Sequence, residues 1–351
     1  MFGNSKFFNQ YPGKDITEAD IKRIFQTFDA NKDNALDKAE VKNLVESIAT
    51  SGSLSAAELD KIYAFLDKDK DGLVSPSDMA ARALPWLSVI FSGPVAMVIV
   101  DVQNDFITGS LALKVYPAKE DGANVVPVIN DVIAKHSAAF KTVIYSLDWH
   151  PADHISFLDN LAKRKLSDKS KIKDAAKVGL NDVVVLETKA YGPIEQIMWP
   201  RHCVQNSSGA ELHSELKLAG NHTKVYKGTD PDIDSYSAFW DNNKLKKTDL
   251  HDRLSKLGIS DLIVCGLATD VCVGSTAAHA QELGYRTALL EDACCGVMPD
   301  GIAATKAKLT AAHGVVVRSG QLNELLAKRD RPMAWVLAAV DCVEKLANGG
   351  H

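Results

Sequence analysis

The chain has 351 residues, more than one hydrophobic core usually supports, so two domains are expected. Its net charge of -5 offers no electrostatic basis for nucleic-acid binding, and no apolar run approaches the ~18 residues that span a bilayer, so neither partner is expected. The start of the chain lacks a signal-peptide pattern, and six cysteines, two of them adjacent, suit a reducing compartment, so we expect a cytoplasmic location with the nucleus as a second one.

Two acidic loops lie in the N-terminal part, at residues 29–40 and 67–78. Each places oxygen-bearing side chains at the spacing of a calcium-binding loop, and an apolar helical pattern precedes each loop. The pattern resembles a paired EF-hand module, and a solvated acidic segment without an ion is the alternative. The expected Ca²⁺ ligands are Asp29, Asn31, Asp33, Ala35, Asp37 and Glu40 in the first loop, and Asp67, Asp69, Asp71, Leu73, Ser75 and Asp78 in the second.

Each loop departs from the ideal pattern at one position. Asn34 stands where glycine is usual, which is tolerable because asparagine accepts positive φ better than most residues. Asp78 stands where a bidentate glutamate is usual, and its shorter side chain reaches an ion less fully. We therefore predict that the loop ending in Glu40 binds Ca²⁺ more tightly than the loop ending in Asp78.

Residues 80–94 join the acidic loops to the rest of the chain. They are too apolar for a free linker, so we expect the segment to pack against one of the domains. The predicted domains are an EF-hand domain over residues 1–92 and a second domain over residues 93–351.

Four short apolar runs in the second domain are followed by residues capable of chemistry. Such runs, separated by helical patterns, predict buried strands of a Rossmann-like, mostly parallel α/β sheet with helices on both faces. Ligands bind beyond the carboxyl ends of parallel strands, so we expect these residues to share one crevice. The runs are 96–100 before Asp101, 142–147 before Asp148, 223–226 before Lys227, and 261–265 before Cys272.

A metal site is predicted from the spacing of Asp148 and His150. Two residues apart in extended backbone, their side chains project to the same side and can hold one ion. His202 is the best candidate for a third ligand, and His154 is the second choice. Three protein ligands leave positions open for water and substrate, which is typical of a catalytic site. Zn²⁺ fits this set best, with Fe²⁺ or Mn²⁺ as alternatives.

Cys272 follows a glycine that separates an apolar run from a helical pattern. This places its thiol at a strand-to-helix turn, where the helix N-terminus is expected to lower the pKa of a cysteine. A buried, inert cysteine is the alternative for any single cysteine. The other apolar runs end in an acid, Asp101, in a cation, Lys227, and in the possible metal ligands Asp148 and His150. This company favours a nucleophilic role for Cys272.

Five ordered segments carry a family resemblance. They resemble the successive signatures of nicotinamidases, which are isochorismatase-like cysteine hydrolases. With the EF-hand pair in front, the chain resembles invertebrate EF-hand nicotinamidases. The segments are 101–106, 148–157, 199–204, 227–239 and 266–273.

The resemblance implies hydrolysis of nicotinamide to nicotinate and ammonia, a step of NAD salvage, through a thioester at Cys272. It implies that Asp101 is the acid/base partner of that thiol and that Lys227 completes a triad. It also implies a metal held by Asp148, His150 and His202.

Two further expectations come from the resemblance alone. Phe106 and Trp149 match positions that flank the pyridine ring of the substrate. The backbone N–H groups of Ala268 and Cys272 are expected to receive the oxyanion, after a cis peptide bond between Leu267 and Ala268. The Lys-rich segment 159–190 is longer than the family pattern, and its effect on the pocket is open.

Two other functions remain as alternatives. One is hydrolysis of a different amide or enol ether by the same superfamily, and the other is calcium binding with a silent hydrolase domain. A closing helix is predicted over about residues 331–346, and docking or an oligomer contact is favoured for its apolar face. A homo-oligomer and a contact through the EF-hand module both stay open as partners.

Overall fold

The computed structural model describes residues 6–346. Within this range no helix combines the length and apolarity that crossing a membrane requires. The helices are α1 (Glu18–Phe28), α2 (Lys38–Ile48), α3 (Ala56–Leu66), α4 (Pro76–Asp78), α5 (Leu84–Ser92), α6 (Asn104–Ile107), α7 (Val125–His136), α8 (Leu250–Lys256), α9 (Gly274–Glu282), α10 (Pro299–Ala311), α11 (Leu322–Leu326) and α12 (Met333–Leu346). The strands are β1 (Val95–Val100), β2 (Phe140–Asp148), β3 (Lys165–Leu166), β4 (Val183–Thr188), β5 (Gly192–Ile197), β6 (His222–Lys227), β7 (Asp261–Leu267), β8 (Arg286–Cys295) and β9 (Val315–Val317).

The N-terminal module, α1 to α5, contains two helix–loop–helix units. The first helix of each unit begins at a side-chain cap, Thr17 or Ser55, whose hydroxyl accepts a hydrogen bond from a backbone N–H three residues further on. A β-bridge joins the two loops, and in it the N–H of Leu36 donates to the carbonyl of Val74 at 2.8 Å. Asn34 has a φ of 69°, the left-handed conformation that its loop position predicts.

The last helix, α12, completes the core of the N-terminal module. Trp86 of α5 is fully buried and donates from Nε1 to the carbonyl of Val336 at 3.1 Å. The apolar segment before β1 therefore packs inside this module, as predicted, and α12 docks within its own chain. The domain boundary after residue 92 stays a prediction. By its position in the chain α12 falls in the second predicted domain, yet it packs into the core of the N-terminal module. The side chains that α12 adds to this core are Met333, Val336, Leu337, Ala339, Val340 and Val343.

The main sheet contains six parallel strands in the order β6-β2-β1-β7-β8-β9. Alternate residues of β1 face opposite layers. Met97 and Ile99 pack with α7 and α11, whereas Val98 and Val100 pack with α8, α9 and α10. Helices thus cover both faces, and the predicted fold class is confirmed. The four predicted strands are β1, β2, β6 and β7, and β8 and β9 extend the sheet beyond them.

The Lys-rich insertion, together with the residues that follow it as far as Ile197, forms a second, smaller sheet. Its three antiparallel strands lie in the order β3-β4-β5 and enclose a small apolar core around Val184, Leu186 and Ile194. Gln196 of β5 is buried and donates from Nε2 to the carboxylate of Asp234 at 3.0 Å. This smaller sheet therefore packs, through β5, against the loop that follows β6.

A buried ion cluster lies at the amino-terminal ends of β7 and β8. Asp261 accepts two hydrogen bonds of 2.7 Å from the Arg286 guanidinium and also contacts the ammonium of Lys328. Arg286 donates in addition to the carbonyl of Val89 in α5 at 2.6 Å. The cluster therefore connects the N-terminal module to the sheet, at the edge opposite to the carboxyl ends of the strands.

Candidate active site

The carboxyl edge of the main sheet collects the predicted chemical groups. Asp101 follows β1, Asp148 ends β2, and Lys227 ends β6 in register with Asp148. Cys272 comes from β7, which pairs with the other side of β1, in a π-helical turn over Thr269–Val273 that leads into α9. Because all these strands are parallel, their carboxyl ends meet at one edge.

Lys227 lies between Asp101 and Cys272. Its Nζ is 2.8 Å from the Oδ2 of Asp101 and 3.5 Å from the Sγ of Cys272. The same Nζ donates to the carbonyl of Ser235 at 3.0 Å and contacts the carboxylate of Asp148. Asp101 has no exposed surface, and Cys272 exposes only 4% of its surface. The structure therefore brings an acid/base group, a cation and a thiol into mutual contact.

Burial controls the charge states of these three side chains. It raises the pKa of the Cys272 thiol well above its usual value, and the Lys227 ammonium opposes that rise. Burial likewise raises the pKa of Asp101 against the same ammonium. The direction of the pKa shift of Cys272 is therefore opposite to the one that the strand-to-helix turn predicts, because desolvation of the sulfur is the largest effect. The resting thiol therefore needs a base, and Asp101 is the carboxylate beside it.

The candidate metal group consists of Asp148, His150 and His202. The Nε2 of His150 lies 3.5 Å from the Oδ2 of Asp148, and the Nε2 of His202 lies 3.8 Å from the same oxygen. The Nδ1 of His150 bonds to the carbonyl of Gly228 at 2.8 Å, and the Nδ1 of His202 to that of Pro200 at 2.7 Å. Each Nδ1 therefore carries a proton, and in the neutral form of each ring Nε2 presents its lone pair toward the carboxylate. Two imidazole nitrogens and one carboxylate oxygen fit a catalytic Zn²⁺.

The two histidines differ in their ease of protonation. Burial, together with the neighbouring His150, lowers the pKa of His202 to about 4 and keeps it in the neutral form that binds metal. Burial also disfavours the charged form of His150, but the carboxylate of Asp148 outweighs it and raises the pKa. A metal cation held by Asp148 would take the place of that proton.

His154, the second choice for the third ligand, lies against His150. The two rings stack with their centroids 4.0 Å apart. The Nδ1 of His154 bonds to the hydroxyl of Ser156 at 2.7 Å, and its Nε2 lies 3.9 Å from the Oδ1 of Asp234. His150, His154 and Asp234 thus form a second group of possible ligands. Sequence reasoning gave Asp234 no role, because no spacing rule connects it to either histidine.

A mostly apolar cavity opens at Cys272. Aromatic side chains form much of its wall, and residues of the candidate metal group complete it. Such a cavity suits a small, flat ligand whose reactive group faces the thiol. The lining includes Phe106, Trp199, Tyr236, Asp148, His202 and Ala268.

Trp149 is not among the residues that line this cavity, so its place beside the substrate stays a prediction. Side chains alternate along extended backbone, so Trp149 points away from the side that carries Asp148. Its ring packs instead on the half-exposed ring of Tyr226, with the centroids 5.0 Å apart. Trp199 and Phe106 both line the cavity, and the contact of Phe106 with the substrate stays a prediction.

The turn before Cys272 also differs from the expectation. No peptide bond of the described residues is cis, so the expected cis bond between Leu267 and Ala268 is wrong. Ala268 instead has a φ of 61° and a ψ of 71°, a left-handed conformation that redirects the chain from β7 into the nucleophile turn. Ala268 and Cys272 both line the cavity, so their backbone N–H groups stay our candidates for the oxyanion donors.

Each of the two acidic loops contains a buried carboxylate oxygen that accepts no hydrogen bond. These oxygens are the Oδ1 atoms of Asp29 and Asp67. Asp67, Asp69 and Asp71 bring their carboxylate oxygens within 4.8 Å of one another. Buried oxygens of this kind, beside further acidic side chains, fit a Ca²⁺ ion that neutralises them.

The family of the chain follows from comparison with known proteins. The model of the isochorismatase domain matches residues 95–321, and the model of the EF-hand domain pair matches residues 18–84. The chain belongs to the isochorismatase family and carries an N-terminal EF-hand pair.

Its similar proteins include several nicotinamidases. The nicotinamidase of Escherichia coli (strain K12) is 38% identical over 204 residues, which cover 58% of this chain and 84% of the relative. The structure of the yeast nicotinamidase Pnc1p aligns with a TM-score of 0.54 at 30% identity and covers 64% of this chain and 99% of that chain. PnC1 from L. infantum, in complex with nicotinate, aligns with a TM-score of 0.50 at 30% identity and covers 65% of this chain and 94% of that chain.

Proposed function

We propose that this chain is a nicotinamide amidohydrolase, which converts nicotinamide to nicotinate and ammonia. The observation that carries the proposal is the position of the Lys227 ammonium, which contacts both the Asp101 carboxylate and the Cys272 thiol beside an aromatic-walled cavity. The similarity to nicotinamidases from E. coli and yeast, and to a protein that binds nicotinate, supports the same substrate. The apolar walls suit a pyridine ring better than a charged substrate.

In the proposed reaction, Asp101 takes the proton of Cys272 as the sulfur attacks the carboxamide carbon. An amide is a poor electrophile, so a thiolate is needed rather than the resting thiol. Lys227 stabilises the negative charge because its Nζ lies 3.5 Å from Sγ. The oxyanion of the tetrahedral intermediate accepts hydrogen bonds from the backbone N–H groups of Ala268 and Cys272.

Asp101 then gives its proton to the departing nitrogen, so that ammonia leaves and a thioester remains at Cys272. A water molecule attacks the thioester, and Asp101 accepts the proton of that water. The sulfur leaves as a thiolate and recovers the proton from Asp101, and the nicotinic acid formed loses its own proton to solvent to give nicotinate. Lys227 keeps its charge throughout because the two carboxylates around it, Asp101 and Asp148, raise its pKa well above the usual value despite its burial.

We further propose Asp148, His150 and His202 as the protein ligands of a divalent metal, Zn²⁺ in preference to Fe²⁺ or Mn²⁺. The convergence of their donor atoms supports this assignment. When bound, the ion supplies Lewis acidity at the cavity wall that Asp148 and His202 form. The same Asp148 contacts Lys227, so this carboxylate separates the ion from the cation of the triad.

We propose that both acidic loops bind Ca²⁺ and that the chain resides in the cytoplasm. The unpartnered oxygens of Asp29 and Asp67 support calcium binding, and six free cysteines support a reducing compartment. The N-terminal module meets the sheet at the edge opposite to Cys272. We therefore expect Ca²⁺ to act on the stability of the fold rather than on the chemical step.

The direct test is ammonia release from nicotinamide by the purified protein, with and without a zinc chelator such as phenanthroline. We expect turnover that falls after chelation and returns when Zn²⁺ is added. A panel of other amides, assayed in parallel, separates nicotinamide hydrolysis from the activities of other superfamily members. A protein that releases ammonia from another amide but none from nicotinamide would contradict the proposed substrate.

A further inference from the structure

Ser146 of β2 touches the acid/base carboxylate and has no role in the reaction described above. It has no exposed surface and lies two residues before Asp148, on the same face of the strand. Its Oγ donates to the Oδ1 of Asp101 at 2.6 Å, and its carbonyl accepts the N–H of Asp101 at 3.2 Å. Ser146 therefore contacts both the backbone and the side chain of Asp101.

The two carboxylate oxygens of Asp101 have different partners. Oδ1 accepts the Ser146 hydroxyl, whereas Oδ2 lies 2.8 Å from the Nζ of Lys227. The torsion that exchanges two carboxylate oxygens is broad and soft in an unrestrained side chain. An O–H···O⁻ hydrogen bond of 2.6 Å is of the short, charge-assisted kind, and it opposes this rotation.

The backbone of Asp101 does not by itself hold the side chain in place. Asp101 has a φ of 52°, a left-handed conformation at the point where β1 has ended. Its N–H bonds to the carbonyl of Ser146, outside the regular ladder of the sheet. The orientation of the carboxylate therefore depends on its side-chain partners, Ser146 on one oxygen and Lys227 on the other.

We propose that Ser146 is a positioning residue whose hydroxyl orients the Asp101 carboxylate, so that Oδ2 alone exchanges the proton with Cys272. The inference rests on the proposed amide hydrolysis. The transferred proton moves from Sγ to Oδ2 and then to the departing nitrogen, while the Ser146 proton stays on Oγ throughout. Ser146 thus neither gains nor loses a proton in the cycle.

The test compares Ser146→Ala with a matched control, Thr142→Val, in the full-length protein. Thr142 is also buried on β2, and its hydroxyl donates to the carbonyl of Asn221 at 3.1 Å, away from the active site. We expect Ser146→Ala to lower kcat about 10- to 100-fold and to change KM by less than about twofold, because positioning acts on the chemical step. Thr142→Val keeps the wild-type kcat. Ser146→Thr, which restores a hydroxyl, recovers most of the lost kcat.

A crystal structure of Ser146→Ala provides a readout that needs no substrate. We expect the Asp101 carboxylate to rotate, so that its oxygens leave their positions in the wild-type protein. A carboxylate that stays in place, or a kcat no lower than that of Thr142→Val, overturns the role of Ser146. A wild-type protein that is inactive on nicotinamide overturns the proposed function instead, and the crystal structure still decides the positioning role.

Discussion

Asp148 presents its two carboxylate oxygens to different partners: Oδ1 contacts the Nζ of Lys227, and Oδ2 faces the imidazoles of the candidate metal group. The triad and the metal group therefore share one buried carboxylate. A change of charge in the triad alters the electrostatic potential at the metal group, and the reverse also holds, because buried charges are poorly screened. The mutational effects of the two groups should consequently not add.

The first prediction concerns the nucleophile. Cys272→Ala should reduce ammonia release by about 10³-fold or more, because the thioester cannot form. Nicotinamide binding should persist, since the cavity walls are unchanged, and isothermal titration calorimetry can measure it. Cys265→Ala, at a fully buried cysteine of β7, is the control and should retain turnover. Substantial turnover by Cys272→Ala would exclude this residue as the nucleophile.

The second prediction concerns the metal ligands. His150→Ala and His202→Ala should each lower bound metal, measured by mass spectrometry of the purified protein, by about 10-fold or more at limiting metal, with activity falling in parallel. His154→Ala is the comparison, because His154 lies beside His150 without contacting Asp148 within ion-pair distance. If His202→Ala kept a full equivalent of metal while His154→Ala lost it, the choice of the third ligand would be wrong.

The third prediction concerns the calcium loops, and it requires the whole chain. A fragment of residues 1–92 lacks α12 and exposes the core that this helix covers, so calorimetric titration should use full-length Asp29→Ala and Asp67→Ala. We expect the tighter site to disappear in Asp29→Ala, because Glu40 can offer two oxygens and Asp78 reaches less far. Two sites of equal affinity, or loss of the tight site in Asp67→Ala alone, would refute this order.

The fourth prediction concerns the buried ion cluster. Asp261→Asn should lower the free energy of unfolding by about 3–5 kcal/mol, because it leaves the buried charges of Arg286 and Lys328 without their carboxylate. Asp131→Asn removes the partner of Lys135 in a solvent-exposed pair and should change stability by less than about 1 kcal/mol. Chemical denaturation of both variants, with tryptophan fluorescence as the signal, measures the difference. A loss in Asp261→Asn no larger than in the control would contradict the stabilising role of the cluster.

The sequence predicted the parts of the active site that depend on strand ends. Apolar runs located β1, β2, β6 and β7, and parallel strands bring their carboxyl ends together whatever the loops do. The sequence alone therefore predicted that Asp101, Lys227 and Cys272 lie in one crevice. The pairing of Asp148 with His150 followed from the two-residue period of extended backbone, which also explains why Trp149 faces away.

Other features depend on contacts that local patterns do not encode. β4 and β5 form around a core of their own at the end of the insertion. The apolar run of β4 indicates a strand, but its pattern does not tell that it pairs with β5 in a separate sheet instead of joining the main one. The contact of Asp234 with His154 joins two loops far apart in the chain. The thiol pKa of Cys272 depends on how deeply the turn is buried, which spacing cannot report. The left-handed Ala268 is a tertiary outcome of the same kind, since alanine has no preference for that conformation.

The docking of α12 also affects the order in which parts of the protein can fold during synthesis. α5 is synthesised before the sheet, whereas α12 lies about 240 residues further along the chain. At about 5–20 residues per second, the ribosome needs roughly 10–50 s to supply the helix that covers Trp86 and its neighbours. During that interval the calcium module has an open apolar core, and bound Ca²⁺ can hold its loops before the core closes. The calcium module, which precedes the sheet in the chain, therefore completes its core only after the sheet has been synthesised.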